Sequence, residues 1–241
     1  MKTVLITGAT SGIGEQLAVD YAAAGWSVIA CGRNAIKLAK LSEHNNISIL
    51  AFDMSDADDV AAAGEQIDQP LDLVILNAGT CEYIDDIKQF DTELFKRVID
   101  INLIGTTQCI AAFLPKISEG GQLALMGSSA SFFPFSRAQA YGASKAAIAY
   151  LAQSLAVDLA QYNIAVSLIS PGFVETPLTN KNDFEMPMRI SVEQASHEMI
   201  QGLAKRKPHI TTPRFFTFLL GLIGKLPFSA QHWLALRTVK S

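Results

Sequence analysis

Tyr141 and Lys145 stand four residues apart in "YGASK", where an alanine-rich stretch begins. Residues at that spacing share one face of a helix. A phenol is ordinarily a weak acid, with a pKa near ~10. Moving it about three units toward neutral pH takes about 4 kcal/mol of preferential stabilisation of the phenolate. A neighbouring ammonium acts in that direction. The pair is therefore a candidate acid and base, able to give and take one proton near pH 7. The same spacing alone also describes a solvated helix surface, so the rest of the chain has to decide.

A second cluster lies near the N-terminus. In "TVLITGATSGIGEQLAVDYAAAG", Gly8, Gly12 and Gly14 fall between an apolar run and a helix-like run. Glycine permits a tight turn and lets backbone approach a ligand closely. A helix N-terminus then offers unpaired N–H groups and a positive dipole end to a phosphate. The spacing is G-x-x-x-G-x-G rather than the commoner G-x-G-x-x-G.

These residues need a frame. Apolar runs at 3–7, 27–30, 47–52, 71–77, 122–126 and 164–170 read as strands. They are continuously apolar, as expected when both faces of a sheet are covered. Helix-like segments separate them, including 14–25, closed by Gly25, and 140–163. Strand and helix in alternation predict an α/β fold: one Rossmann-type doubly wound parallel sheet with helices on both faces. With 241 residues, about half of them apolar, the chain reads as a single domain over 1–241. Such folds bind ligands at the carboxyl ends of their strands. Asp53, "NAG" (77–79), "GSSAS" (127–131) and "SPG" (170–172) gather small and polar residues there.

Composition narrows the partners. The formal net charge is -4, and the only dense basic run, Lys205-Arg206-Lys207, reads as a helix end, where cations suit the dipole. No nucleic-acid partner is expected. Cys31, Cys81 and Cys109 are far apart and odd in number, so they read as reduced thiols of a cytoplasmic protein with no metal site. The apolar run in "MKTVLITG" is too short for a signal peptide.

"TGATSGIG", "NAG", Asn102 in "IDINLIG", Ser128, "YGASK" and "SPGFVET" occur in this order. Together they resemble the short-chain dehydrogenase/reductase family, over about residues 1–178. The resemblance implies catalysis by Asn102, Ser128, Tyr141 and Lys145. Tyr141 would be the general acid and base, and Lys145 would also bond a nicotinamide ribose. Ser128 would bond the reacting oxygen, with Ser129 as the competing register. Asn102 would hold a water that relays protons to Lys145. Gly8, Thr10, Ser11, Gly12, Ile13 and Gly14 would cradle the dinucleotide. Asp53 and Met54 would lie at the adenine, and Asn77, Ala78 and Gly79 at its ribose. Pro171, Gly172, Val174 and Thr176 would meet the nicotinamide.

The cofactor type follows from "VIACGRN". Gly32 stands where NAD-dependent family members carry Asp, and Arg33 follows. A guanidinium bonds phosphate well, so NADP(H) is preferred over NAD(H). The expected activity interconverts an alcohol and a carbonyl on a small molecule. A nucleotide-sensing protein without turnover is the alternative, disfavoured by the complete catalytic set. An epimerase or dehydratase would need a longer substrate region.

The resemblance thins at the end. Many family members finish with a seventh strand and a Val-Asp-Gly-Gly tail, and neither is legible here. Residues 207–241 read instead as an apolar tail of one or two amphipathic helices. A packed tail or subunit contact is expected ahead of membrane contact. A homodimer through the helices near 90–114 and 140–163 is favoured. Phe132, Phe133 and Phe135, with Met186 and Met188, suggest a hydrophobic substrate site.

Overall fold

The structure is a computed structural model and describes residues 1–237. Seven strands form one parallel sheet in the order β3-β2-β1-β4-β5-β6-β7. They are β1 Thr3–Thr7, β2 Ser27–Gly32, β3 Ile47–Ala51, β4 Leu71–Leu76, β5 Ile117–Met126, β6 Ala165–Pro171 and β7 His209–Thr212. The helices are α1 Gly12–Ala23, α2 Ala35–Leu41, α3 Ala57–Glu65, α4 Thr92–Ile99, α5 Gly105–Phe113, α6 Gln139–Leu159, α7 Val192–Ala204, α8 Arg214–Ile223 and α9 Phe228–Leu236.

Strand alternation divides the core in two. Val4 and Ile6 of β1 pack with Leu17 of α1, Leu38 of α2 and Met199 of α7 on one face. Leu5 packs with Val60 of α3, Phe113 of α5 and Ile148 of α6 on the other. The sheet is thus covered on both sides, which is why its strands read as unbroken apolar runs. Strand order reverses between β1 and β4, which flank each other although β2 and β3 lie between them in sequence. That switch point opens a crevice at the carboxyl edge.

Two expectations need correction. The seventh strand is present: β7 pairs with β6 from Leu168↔His209 to Pro171↔Thr212. It escaped notice because "HITT" has one strongly apolar residue, and only Ile210 and Thr212 of the four are buried. The chain then turns into α8 rather than a Val-Asp-Gly-Gly tail. The helical segment near 90–114 is also not one regular helix. Asp100–Ile104 forms a π-helical turn between α4 and α5. Such turns recur at functional sites, and this one holds Asn102.

Helix α6 ends four residues earlier than its apolar pattern suggests. A 3₁₀ turn, Ala160–Tyr162, follows, and Asn163 in the left-handed region stops it. Lys205 caps α7, as the basic run implied. The tail forms two helices, α8 and α9; its last residues, 238–241, lie outside the described residues. By length and composition, Thr92–Lys116 is apolar enough to cross a membrane. Val98, Asn102, Thr106, Cys109 and Phe113 of that segment are buried in the protein.

Candidate active site

A cleft of ≈ 390 Å³ opens at the carboxyl edge of the sheet. Gly8, Thr10, Ser11, Gly12 and Ile13 line it from the first turn, and Arg33, Asp53 and Met54 from the ends of β2 and β3. Asn77, Ala78 and Gly79 follow from β4, Ser128 from β5, Tyr141 and Lys145 from α6. Pro171, Gly172, Val174 and Thr176 close the far side. Every residue expected at a nucleotide or at the chemistry lines this cleft, except Gly14 and Asn102.

Gly14 has a packing role behind it. A Cβ there would lie 2.3 Å from the Gly8 carbonyl oxygen and 2.5 Å from Asn77 Nδ2. Only a glycine lets α1 start this close to the turn. Gly8 and Gly12 both take positive φ, +68° and +57°. Thr7 ties this turn to β4: its Oγ1 accepts from the backbone N–H groups of Asn77 and Ala78 at 3.0 and 3.1 Å. Asn77 Nδ2 donates back to the carbonyl of Thr7 at 3.0 Å. Thr7 also lines the cleft. Nothing in its place inside an apolar strand marked it in the sequence.

Asn102 sits beneath the cleft and is buried. Its Oδ1 accepts from Thr80 N–H at 2.7 Å, and its Nδ2 donates to Thr80 O at 2.9 Å and Ser144 Oγ at 3.0 Å. Ser144 Oγ in turn donates to the Tyr141 carbonyl at 2.7 Å. The side chain of Asn102 is thus held by protein partners, with one donor on its Oδ1. It ties the π-helical turn to the "YGASK" helix. Ser144, fully buried inside that motif, was missed because a helical serine looks like a small surface residue.

Lys145 is buried, and its Nζ donates to the Met126 carbonyl at 2.8 Å. The Nζ lies 5.8 Å from the centre of the Tyr141 ring. Burial pushes the Lys145 pKa down to about 8. Burial also pushes the Tyr141 phenol above its ordinary value, opposed by a hydrogen bond with Ser128. In the chain alone the effect of burial on the phenol outweighs any draw from Lys145. Desolvation of both groups dominates, and spacing along a helix says nothing about depth. Near neutral pH, Tyr141 holds its proton. Ser128, not Ser129, lines the cleft. Its Oγ also accepts from Ala130 N–H at 3.1 Å.

At the other end Arg33 and Asp53 form a loose pair, 3.6 Å apart and well exposed. Asp53 is held below its ordinary pKa chiefly by hydrogen bonds from Ser55. A Cβ at Gly32 would come within 2.7 Å of Thr10 Cγ2, so this position has no room for an acidic side chain without movement.

Phe132, Phe133, Phe135, Met186 and Met188 do not line the cleft. Phe133 stacks edge-on with Phe135 and Phe132 with His209, while Met186 Sδ accepts from Asn182. Met188 is half exposed. The cleft rim is made instead by Pro177, Leu178 and Thr179. The segment carrying them is tied across the cleft. Tyr83 donates to Asn182 Oδ1 at 3.1 Å, and Arg137 pairs with both Asp85 and Asp183 at 2.6 and 2.8 Å.

Residues 2–186 match the family model described as short chain dehydrogenase. The chain belongs to the short-chain dehydrogenase/reductase family. It is 30% identical over 211 residues to an uncharacterized oxidoreductase of Staphylococcus epidermidis, covering 85% of this chain and 91% of that protein. It is 33% identical over 186 residues to a sulfoacetaldehyde reductase of Chromohalobacter salexigens, covering 73% of this chain and 74% of that one. The structure is similar to a short-chain dehydrogenase from Sphingobium yanoikuyae in complex with NADPH. The TM-score is 0.79 and the identity 25%, over 95% of this chain and 98% of that one.

Proposed function

We propose that this oxidoreductase interconverts an alcohol and a carbonyl with NADP(H), using Tyr141 as general acid and base. The observation that carries the reading is one cleft with Ser128, Tyr141 and Lys145 at one end and Arg33 at the other. The residues present fit a dinucleotide: the glycine turn leaves a cradle that side chains would fill, and Arg33 supplies a cation for a 2′-phosphate. Asp53, Met54, Asn77, Ala78 and Gly79 would hold the adenosine, and Pro171, Gly172, Val174 and Thr176 the nicotinamide. When bound, the nicotinamide supplies or accepts the hydride.

In carbonyl reduction, Ser128 would hold the substrate oxygen and Tyr141 would give it the phenolic proton. A phenol raised by burial is in the acid form that this direction needs. Lys145, positively charged below about 8, would stabilise the phenolate left behind. Asn102 would act by positioning, through Ser144, the helix turn that carries Tyr141. The three free cysteines suit a reducing cytoplasm. Exposed Ile104, Tyr150 and Val157 on the π-helical turn and α6 suit a homodimer contact there.

The test is a panel of aldehydes and ketones assayed by loss of NADPH absorbance. At least one should be reduced, and more slowly with NADH. Tight NADPH binding with no carbonyl reduced across the panel would favour a nucleotide sensor instead.

A further inference from the structure

The tail helices carry an apolar face that the protein body leaves open. On α8, Phe216 packs toward Gly172 and Thr217 and Leu220 are buried. The opposite face shows Phe215, Phe218, Leu219 and Leu222, the i, i+3, i+4, i+7 pattern of one helical stripe. Phe215 is 63% exposed and Phe218 61%. The surface continues through Phe228, 84% exposed, to Trp233 and Leu236 on α9, a helix with no buried residue. Gln231 fixes this hairpin by donating to the carbonyls of Gly224 and Leu226. So large an apolar surface marks an interaction site.

Charge identifies the occupant. The chain as a whole is acidic, yet it has no Asp or Glu after Glu198. Arg214 precedes the α8 stripe, Lys225 sits in the turn between the helices, and Arg237 lies over the Trp233 ring at 3.7 Å. Among the described residues no ion pair neutralises any of the three. A second copy of this chain is a poor occupant. A twofold contact sets a patch against itself, which would oppose cations to cations, since neither hairpin carries an Asp or Glu. A bilayer with anionic headgroups matches both features: lipid for the aromatic and aliphatic stripe, phosphate and carboxylate for the interleaved cations. Helix α8 has 10 residues, too short to span.

We infer that the α8–α9 hairpin docks this protein peripherally on an anionic lipid surface. This departs from the sequence expectation of a packed tail. It does not rest on the proposed chemistry, although Phe216 against Gly172 puts the hairpin beside the cleft.

The test is co-sedimentation of the full chain with two kinds of vesicle, phosphatidylcholine alone and phosphatidylcholine mixed with phosphatidylserine. The protein should pellet with the mixed vesicles, several-fold less with the neutral ones, and be released by salt. Trp233 emission should shift to the blue on the mixed vesicles. Arg214→Glu with Lys225→Glu should weaken binding by on the order of tenfold or more, since each cation near such a surface contributes about fivefold. Phe215→Ser with Phe218→Ser should weaken it at least about tenfold. Both double variants should keep the parental melting temperature, because these side chains are exposed. No binding to mixed vesicles would overturn the proposal, as would equal binding to both kinds. So would a dimer in sedimentation velocity that Phe215→Ser with Phe218→Ser dissociates while lipid binding is absent, which would give the face to a second copy.

Discussion

Lys145 donates to the carbonyl oxygen of Met126 at 2.8 Å, joining the helix that carries Tyr141 to the last residue of β5. The bond holds an ammonium in a buried place, at a cost in stability.

The cost should be measurable. The folded pKa of Lys145, about 8, lies below its ordinary 10.5. Between those values the unfolded chain binds more protons at this group than the folded one. Stability contributed by this group therefore rises with pH across that window and is lowest, and flat, below it. Lys145→Met should raise stability at pH 7 by on the order of 2 kcal/mol, remove the rise between pH 8 and 10.5, and lose turnover. Urea midpoints at several pH values check the first two. An unchanged pH profile would mean the lysine is not buried as described.

The glycine turn makes a steric prediction. A methyl at Gly14 would sit 2.3 Å from the Gly8 carbonyl oxygen. Gly14→Ala should therefore destabilise the protein by about 1–3 kcal/mol through overpacking and displace Asn77. Denaturation by urea reads the first effect and cofactor titration the second. A variant as stable as the parent would show that α1 can move away from the turn.

Much of this was legible beforehand because the features are local. The glycine turn, the continuous apolar strands and "YGASK" each announce themselves within a few residues. The residues that escaped depend on distant neighbours. Thr7 matters because β4 lies beside it, and Ser144 because Asn102 reaches it from 42 residues away. β7 forms because β6 offers an edge, which four mixed residues cannot signal alone. The rise of the Tyr141 pKa comes from desolvation at the cleft wall, and spacing along a helix does not report desolvation. Phe132 and Phe133 look like a substrate pocket in sequence because packing aromatics and binding aromatics are the same residues.

The proposed preference for NADPH rests on Arg33. Its exposed side chain is held only loosely by Asp53, at 3.6 Å, so it can turn to a phosphate. Arg33→Ala should weaken NADPH by at least about tenfold, a charge-assisted contact being worth about 1.5–3 kcal/mol, and leave NADH nearly unchanged. Fluorescence titration of both cofactors decides. Equal losses would remove Arg33 from the phosphate site.

Activity in carbonyl reduction should also depend on pH in one direction. The proposed mechanism needs Tyr141 protonated and Lys145 charged, and Lys145 loses its charge first, near 8. The rate should hold below that value and fall as pH rises through it, as a profile of kcat/KM, which reports the groups of the free enzyme, would show. A rate that climbs steadily from pH 7 to 9 would contradict this order.

The central claim is that Tyr141 moves the proton, and Tyr141→Phe tests it most directly. The variant keeps the ring and the packing and loses only the hydroxyl. NADPH affinity should stay within a few-fold of the parent, because the proposed site rests the dinucleotide mainly on the glycine turn. Turnover of whichever carbonyl the parent reduces should fall by roughly 10²–10⁴-fold. A variant that binds NADPH normally and turns over at the parental rate would contradict the assignment of Tyr141.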